Sequence, residues 1–248
     1  MKRVNPYSKV PKMRKNQSGN VFVIILVGIA LFAALGYTVS RGFRSDSTNN
    51  LTKRQADLAA GEILNYAQKI SRTVNRLRRN GCSESEISFE NSAVADYDFV
   101  TRDACRVFGA TGAKLIYKAP ESSWLASANS GSAGYGSWWF GGTNIITDVG
   151  GNTQPGNNEL LAVVGYLDQN LCIRINDKLG ITNPAGVPPQ DGSASVILAD
   201  AGKYTGTFAG SNAITDTNLD GKSAACFESG GTGPATGTYH FYQVLIER

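Results

Sequence analysis

Histidine is nearly absent from this 248-residue chain; His240 is the only one. A metal centre built on several imidazoles is thereby excluded, and any Ser/His/Asp site would have to use His240. That residue lies in a run of large β-forming side chains, Tyr239-His240-Phe241-Tyr242, with no Gly-x-Ser-x-Gly turn beside it, so it reads as structural. The four cysteines form no Cys-x-x-Cys pair, which disfavours zinc. No glycine-rich stretch has the spacing or the Lys-Ser/Thr ending of a phosphate loop. These absences leave no catalytic set, and the chain reads as a non-enzyme without an organic cofactor.

Acidic residues are missing from positions 1–20, which carry Lys2, Arg3, Lys9, Lys12, Arg14 and Lys15. The net charge of +4 is therefore a property of the tail: the other 228 residues hold 18 basic against 20 acidic side chains. A nucleic-acid binder would place its basic residues on a folded face with aromatics between them, so no nucleic-acid partner is expected. Charge of either sign is also missing from Val21 to Val39, VFVIILVGIALFAALGYTV. As a helix, 19 residues reach roughly 28 Å, close to the thickness of a bilayer core. This predicts a transmembrane helix over 21–39, with 1–20 as a basic cytoplasmic leader by the positive-inside rule. It places the protein in a bacterial inner membrane, its head periplasmic or extracellular.

Cys82, Cys105, Cys172 and Cys226 all follow that segment, in even number, as disulfides in an oxidising compartment require. Three pairings are open, and local closure favours Cys82 with Cys105 and Cys172 with Cys226. From Asn50 to Asn80 apolar residues recur in steps of three and four (Leu51, Leu58, Ala59, Ile63, Tyr66, Ala67, Ile70, Val74, Leu77), which predicts one amphipathic helix. Thr52 and Gln55 stand in capping-box spacing and Gly81 is placed to end it. Residues 40–49 link span to helix, as a break or as a melted stretch of one rod. Residues 50–80 carry seven Lys/Arg against two acids, whereas 81–248 carry 9 against 17. The stem is basic and the head acidic.

The head, 81–248, reads as short strands and turns. Strands are expected at Lys114–Lys118, Glu159–Tyr166, Ser195–Leu198, Thr205–Phe208 and Thr238–Glu247, with a capped helix from Asp168 to Gly180. Trp138, Trp139 and Phe140 lie in a stretch rich in Gly and Ser and are read as core. Asp216, Asn218, Asp220 and Gly221 fit D-x-N-x-D-G, the opening of a calcium loop; the twelfth position is Phe227, however, with Glu228 one place late. An Asx-rich turn is the plainer reading, and calcium the one cation the sequence suggests.

A basic leader ending in Gln17-Ser18-Gly19, then an apolar helix, an amphipathic helix and a mixed head with late cysteines, resembles the type IV pilin and type II secretion pseudopilin group. The resemblance implies an α+β fold, a long N-terminal helix packed on a mainly antiparallel-sheet head. It implies cleavage by a prepilin peptidase between Gly19 and Asn20, an assembly platform, and packing with copies or related subunits through the N-terminal helix, at the membrane and then in a cell-surface filament. It also implies a Cys172–Cys226 disulfide closing the C-terminal region. Ile24 stands where the group usually has glutamate, a departure that implies either a minor or tip subunit or a chain that is not processed at all. The competing expectation is an uncleaved anchored binding module, with the 120–157 loop and the Trp pair as its ligand face.

Overall fold

The computed structural model describes residues 24–32, 52–95, 97, 102–150, 157–192, 198, 202–210, 212–231 and 233–248. The chain divides into two compact units, 1–48 and 49–248. In the first, the described residues form a helix, α1, over 24–32. Among the described residues no helix is long and apolar enough to cross a membrane. The expected transmembrane helix, and with it the inner-membrane location, is therefore corrected.

The second unit begins with α2, Lys53–Arg79. Thr52 caps it: its side chain accepts from Gln55 N–H at 3.4 Å while Gln55 Oε1 accepts from Thr52 N–H at 3.2 Å. Three arginines, Arg76, Arg78 and Arg79, face the negative end of the helix dipole, and Gly81 turns the chain with φ of 89°. Its inward stripe is largely alanine, Ala56, Ala59, Ala60 and Ala67, with Ile63, Ile70, Val74 and Leu77. Small side chains let the helix lie close to its neighbours, the helix Gln169–Leu179 and the strand Tyr239–Ile246. Leu58, expected in that stripe, is instead 71% exposed.

Six strands form one sheet: β1 Trp138–Ile146, β2 Glu159–Leu167, β3 Gln190–Asp191, β4 Asn212–Ile214, β5 Ala224–Ser229 and β6 Tyr239–Ile246, in the order β3-β5-β6-β2-β1-β4. The central pairs are antiparallel; β3 on β5 and β4 on β1 are parallel. The two edges are tied together by one side chain, since buried Asp191 Oδ1 on β3 accepts from Thr215 N–H, just after β4, at 3.2 Å. The sheet is thus mixed and nearly closed on itself. This corrects the expected fold and the pilin layout: among the described residues no membrane-spanning helix leads into α2, and a mixed, nearly closed sheet dominates rather than a mainly antiparallel one.

β2 is buried at every position because both faces of the sheet are covered. On the outer face Trp138, Phe140, Leu160, Ala162, Val164 and Phe241 pack under α2 and α3, Gln169–Leu179. Inside the curve lie Trp139, Leu161, Val163, Tyr166, Phe227 and Tyr242. Register slips between Gly141 and Asn144, and a Cβ at Gly141 would meet the Trp139 ring at 1.8 Å; only glycine leaves room for that indole. Segment 114–118 belongs to no strand, its first residue Lys114 lying at a φ of 60°, and 205–208 forms none. Tyr66 fastens the former to α2, accepting from Lys118 N–H at 2.8 Å and donating to Ile116 O at 3.0 Å.

Candidate functional site

The helix α1 is apolar on every side. Seven of its large side chains are 53–79% exposed, from Val27 at the low end to Phe32 at the high end. The expected cleavage junction, Gly19 and Asn20, lies outside the described residues.

Both disulfides staple the second unit. Cys82–Cys105 joins the chain leaving α2 to the single turn Asp103–Cys105, and Cys172–Cys226 joins α3 to β5. All four sulfurs are buried or nearly so. Beside the second bridge, Asn176 on α3 uses its amide as a strand would use its backbone. Its Nδ2 donates to Cys226 O at 2.8 Å and its Oδ1 accepts from Cys226 N–H at 2.9 Å.

His240 is fully buried between the rings of Tyr166 and Phe227. Thr238 Oγ1 donates to Ala235 O at 2.6 Å, so it accepts the His240 Nε2–H at 2.7 Å. Nδ1 then accepts from Tyr166 N–H at 3.4 Å. Burial lowers its pKa to about 3, and the ring stays neutral and sealed from any substrate. The candidate calcium residues are near one another but already engaged: Asp216 Oδ1 accepts from Asn218 N–H at 2.8 Å and from its Nδ2 at 2.9 Å, an Asx turn. Asp220 sits beyond it with Oδ1 buried and unpartnered. Among the described residues no three His, Cys, Asp or Glu side chains gather as a metal ion would need.

Trp138 and Trp139 are each 2% exposed, and Trp138 lines the wall of a cleft beside α2. Among the clefts on the described surface of the second unit, two lie against segment 108–124. One, about 900 Å³, runs along Phe108, Leu115, Ile116 and Tyr117, with Ile116 85% exposed. The other, about 260 Å³, lies between α2 and segment 118–124, where Lys118 pairs with Glu62 at 2.8 Å and stands over the Trp124 ring.

No family model, curated protein or solved structure matches this chain. Asn176, Asp191 and Glu159 are among the buried polar groups that escape the sequence reading. The one signal for Glu159 is a carboxylate opening an otherwise apolar strand, ELLAVVGY; nothing local marks the other two.

Proposed function

We propose that this chain is a structural subunit of a many-copy assembly, joined to its neighbours by packing of α1 against the same helix in other copies. One observation carries the reading: α1 offers seven large apolar side chains to its surroundings at more than half exposure. A helix apolar all round has no polar face to keep toward water, and such surfaces are covered by other apolar surfaces. A second copy supplies an identical one. The stapled second unit suits this role, since two disulfides fit work in an oxidising compartment, and its one histidine is locked inside the sheet.

Sedimentation velocity of the full chain tests this. The wild type is expected to sediment as oligomers in the micromolar range, and Ile25→Glu with Ile29→Glu, one turn apart on α1, as monomers. A monomeric wild type, or a double variant that assembles equally well, would overturn the proposal.

A further inference from the structure

At 100° per residue, Arg54, Lys69, Arg72, Arg76 and Arg79 fall within an arc of about 80° on α2, opposite the stripe that packs on the sheet. All five are exposed, and the stripe runs roughly 37 Å along the helix. Among the described residues none has a carboxylate oxygen within ion-pair distance; Arg72 donates to Gln68 and Arg76 to Ala113 O. The two acids of α2 flank the stripe, and each is held by a cation outside the helix: Asp57 by Lys178 at 2.9 Å and Glu62 by Lys118 at 2.8 Å. The flanks tie the helix down, and the stripe between them is left cationic.

An uncompensated acidic patch stands elsewhere on the same unit. Thr147 N–H donates to Ile214 O at 3.3 Å and Gly221 N–H to Thr147 O at 2.8 Å, which draws the 146–149 turn and the 214–221 loop together. A Cβ at Gly150 would touch Arg248 O, so the end of β6 is adjacent. Asp148, Asp216, Asp220 and Glu247 are thereby grouped; of the two cations next to them in the chain, Arg248 reaches Glu84 and covers the Phe208 ring, and Lys222 makes no ion pair among the described residues. Asp148 and Glu247 are exposed.

The stripe belongs to the helix that covers the outer face of the sheet. The patch rests on Ile146, Val149, Ile214 and Leu219, which fill the inner face. One molecule cannot bring its own patch onto its own stripe. We infer that the occupant of the α2 stripe is the acidic patch of a second copy, a head-to-tail contact that propagates from copy to copy. The stripe has no aromatic side chain to stack a base, and the chain itself supplies the complementary charge. This contact is separate from the packing of α1 and does not depend on it.

The test uses the full chain carrying Ile25→Glu and Ile29→Glu, so that any remaining association is of the second kind. In this background light scattering should show association that weakens at least about tenfold when ionic strength rises from roughly 0.05 to 0.5 M. Adding Arg54→Glu and Lys69→Glu, whose side chains make no hydrogen bond or ion pair among the described residues, should abolish it, as should adding Asp148→Asn and Glu247→Lys. Mixing the two variants should restore one stripe-to-patch contact and yield dimers only. Association insensitive to salt and to both charge changes, no association in this background at low salt, or a mixture that stays monomeric would overturn the inference, as would tighter binding of a duplex DNA probe than of a second copy. Failure of the α1 reading alone would show as unchanged assembly in the Ile25/Ile29 variant with these charge effects intact.

Discussion

Glu159 is a buried carboxyl at the start of β2, and it should make stability fall as pH rises. Its Oε2 accepts from Ile146 N–H at 2.9 Å, while Oε1 has no partner. Asn144, opposite it in register on β1, likewise leaves Nδ2 without a partner. Burial pushes the Glu159 carboxyl up from 4.5 to about 7, with Glu247 adding to the shift while the Ile146 N–H and Arg248 oppose it. The folded state therefore holds this proton more tightly than the unfolded chain does. The stability it contributes is complete below about pH 4.5 and lost as pH rises through about 7, a span of about 3 kcal/mol. His240 acts in the opposite sense, because burial lowers its pKa from 6.5 to about 3. There the unfolded chain takes up the extra proton, and stability falls as pH drops from 6.5 toward 3. Where the windows overlap, between about pH 4.5 and 6.5, each group contributes about 1.4 kcal/mol per pH unit with opposite sign.

Glu159→Gln keeps the acceptor for Ile146 N–H and cannot ionise. Urea unfolding without reductant should show a wild type nearly level from about pH 4.5 to 6.5 and falling toward pH 8. The variant should climb through the first window, now governed by His240, and then stay level. At pH 8 the variant should exceed the wild type by about 3 kcal/mol, and at pH 4.5 the two should agree within about 1 kcal/mol. Other groups titrate in both proteins and drop out of the difference. A gap of the same size at pH 5 and pH 8 would refute the linkage.

Two further substitutions probe the staples. Cys172 and Cys226 are 54 residues apart and Cys82 and Cys105 are 23 apart, so on a chain-entropy account replacing each pair by serine costs about 4 and about 3 kcal/mol. Denaturant midpoints should fall further for the 172–226 variant than for the other, and the reverse order would contradict that account. Asn176→Ala removes both partners of the Cys226 backbone and leaves a buried N–H and C=O unpaired, at a cost of about 2 to 4 kcal/mol; amide exchange at Cys226 should accelerate along with the loss of stability.

What was legible in the sequence was local. The period of Ala59, Ile63, Ala67, Ile70 and Val74, with Thr52 and Gln55 at one end and Gly81 at the other, locates α2 to within three residues. The apolar run ELLAVVGY and the β-rich YHFYQVLI locate β2 and β6, because side-chain type and spacing decide such segments without reference to distant residues. The long uncharged run 21–39 misled for the same reason. Hydropathy registers length and polarity of a segment, whereas the described helix extends only over 24–32. Segment 114–118 has strand-like side chains, yet its fastening is the Tyr66 hydroxyl on α2 rather than a neighbouring strand; a ladder needs a partner that no local pattern supplies.

The edges of the sheet were illegible because polar side chains there stand in for backbone. Strand β3 has only two residues and β4 three, too short for any periodic signal, and both edges would present unpaired groups if left open. Asp191 closes one to the other: its carboxylate takes the Thr215 N–H while its own carbonyl takes the Gly230 N–H at 2.7 Å. Asn176 does the like for β5 from the side of α3. An aspartate in a loop rich in proline and glycine reads as solvated, and an asparagine within a helix as a mild helix breaker. Only when Asp191 and Thr215, 24 positions apart, and Asn176 and Cys226, 50 positions apart, are brought together do these side chains acquire their partners. The same long-range closure creates the inner face of the sheet, and with it the burial that gives Glu159 and His240 their opposed responses to pH.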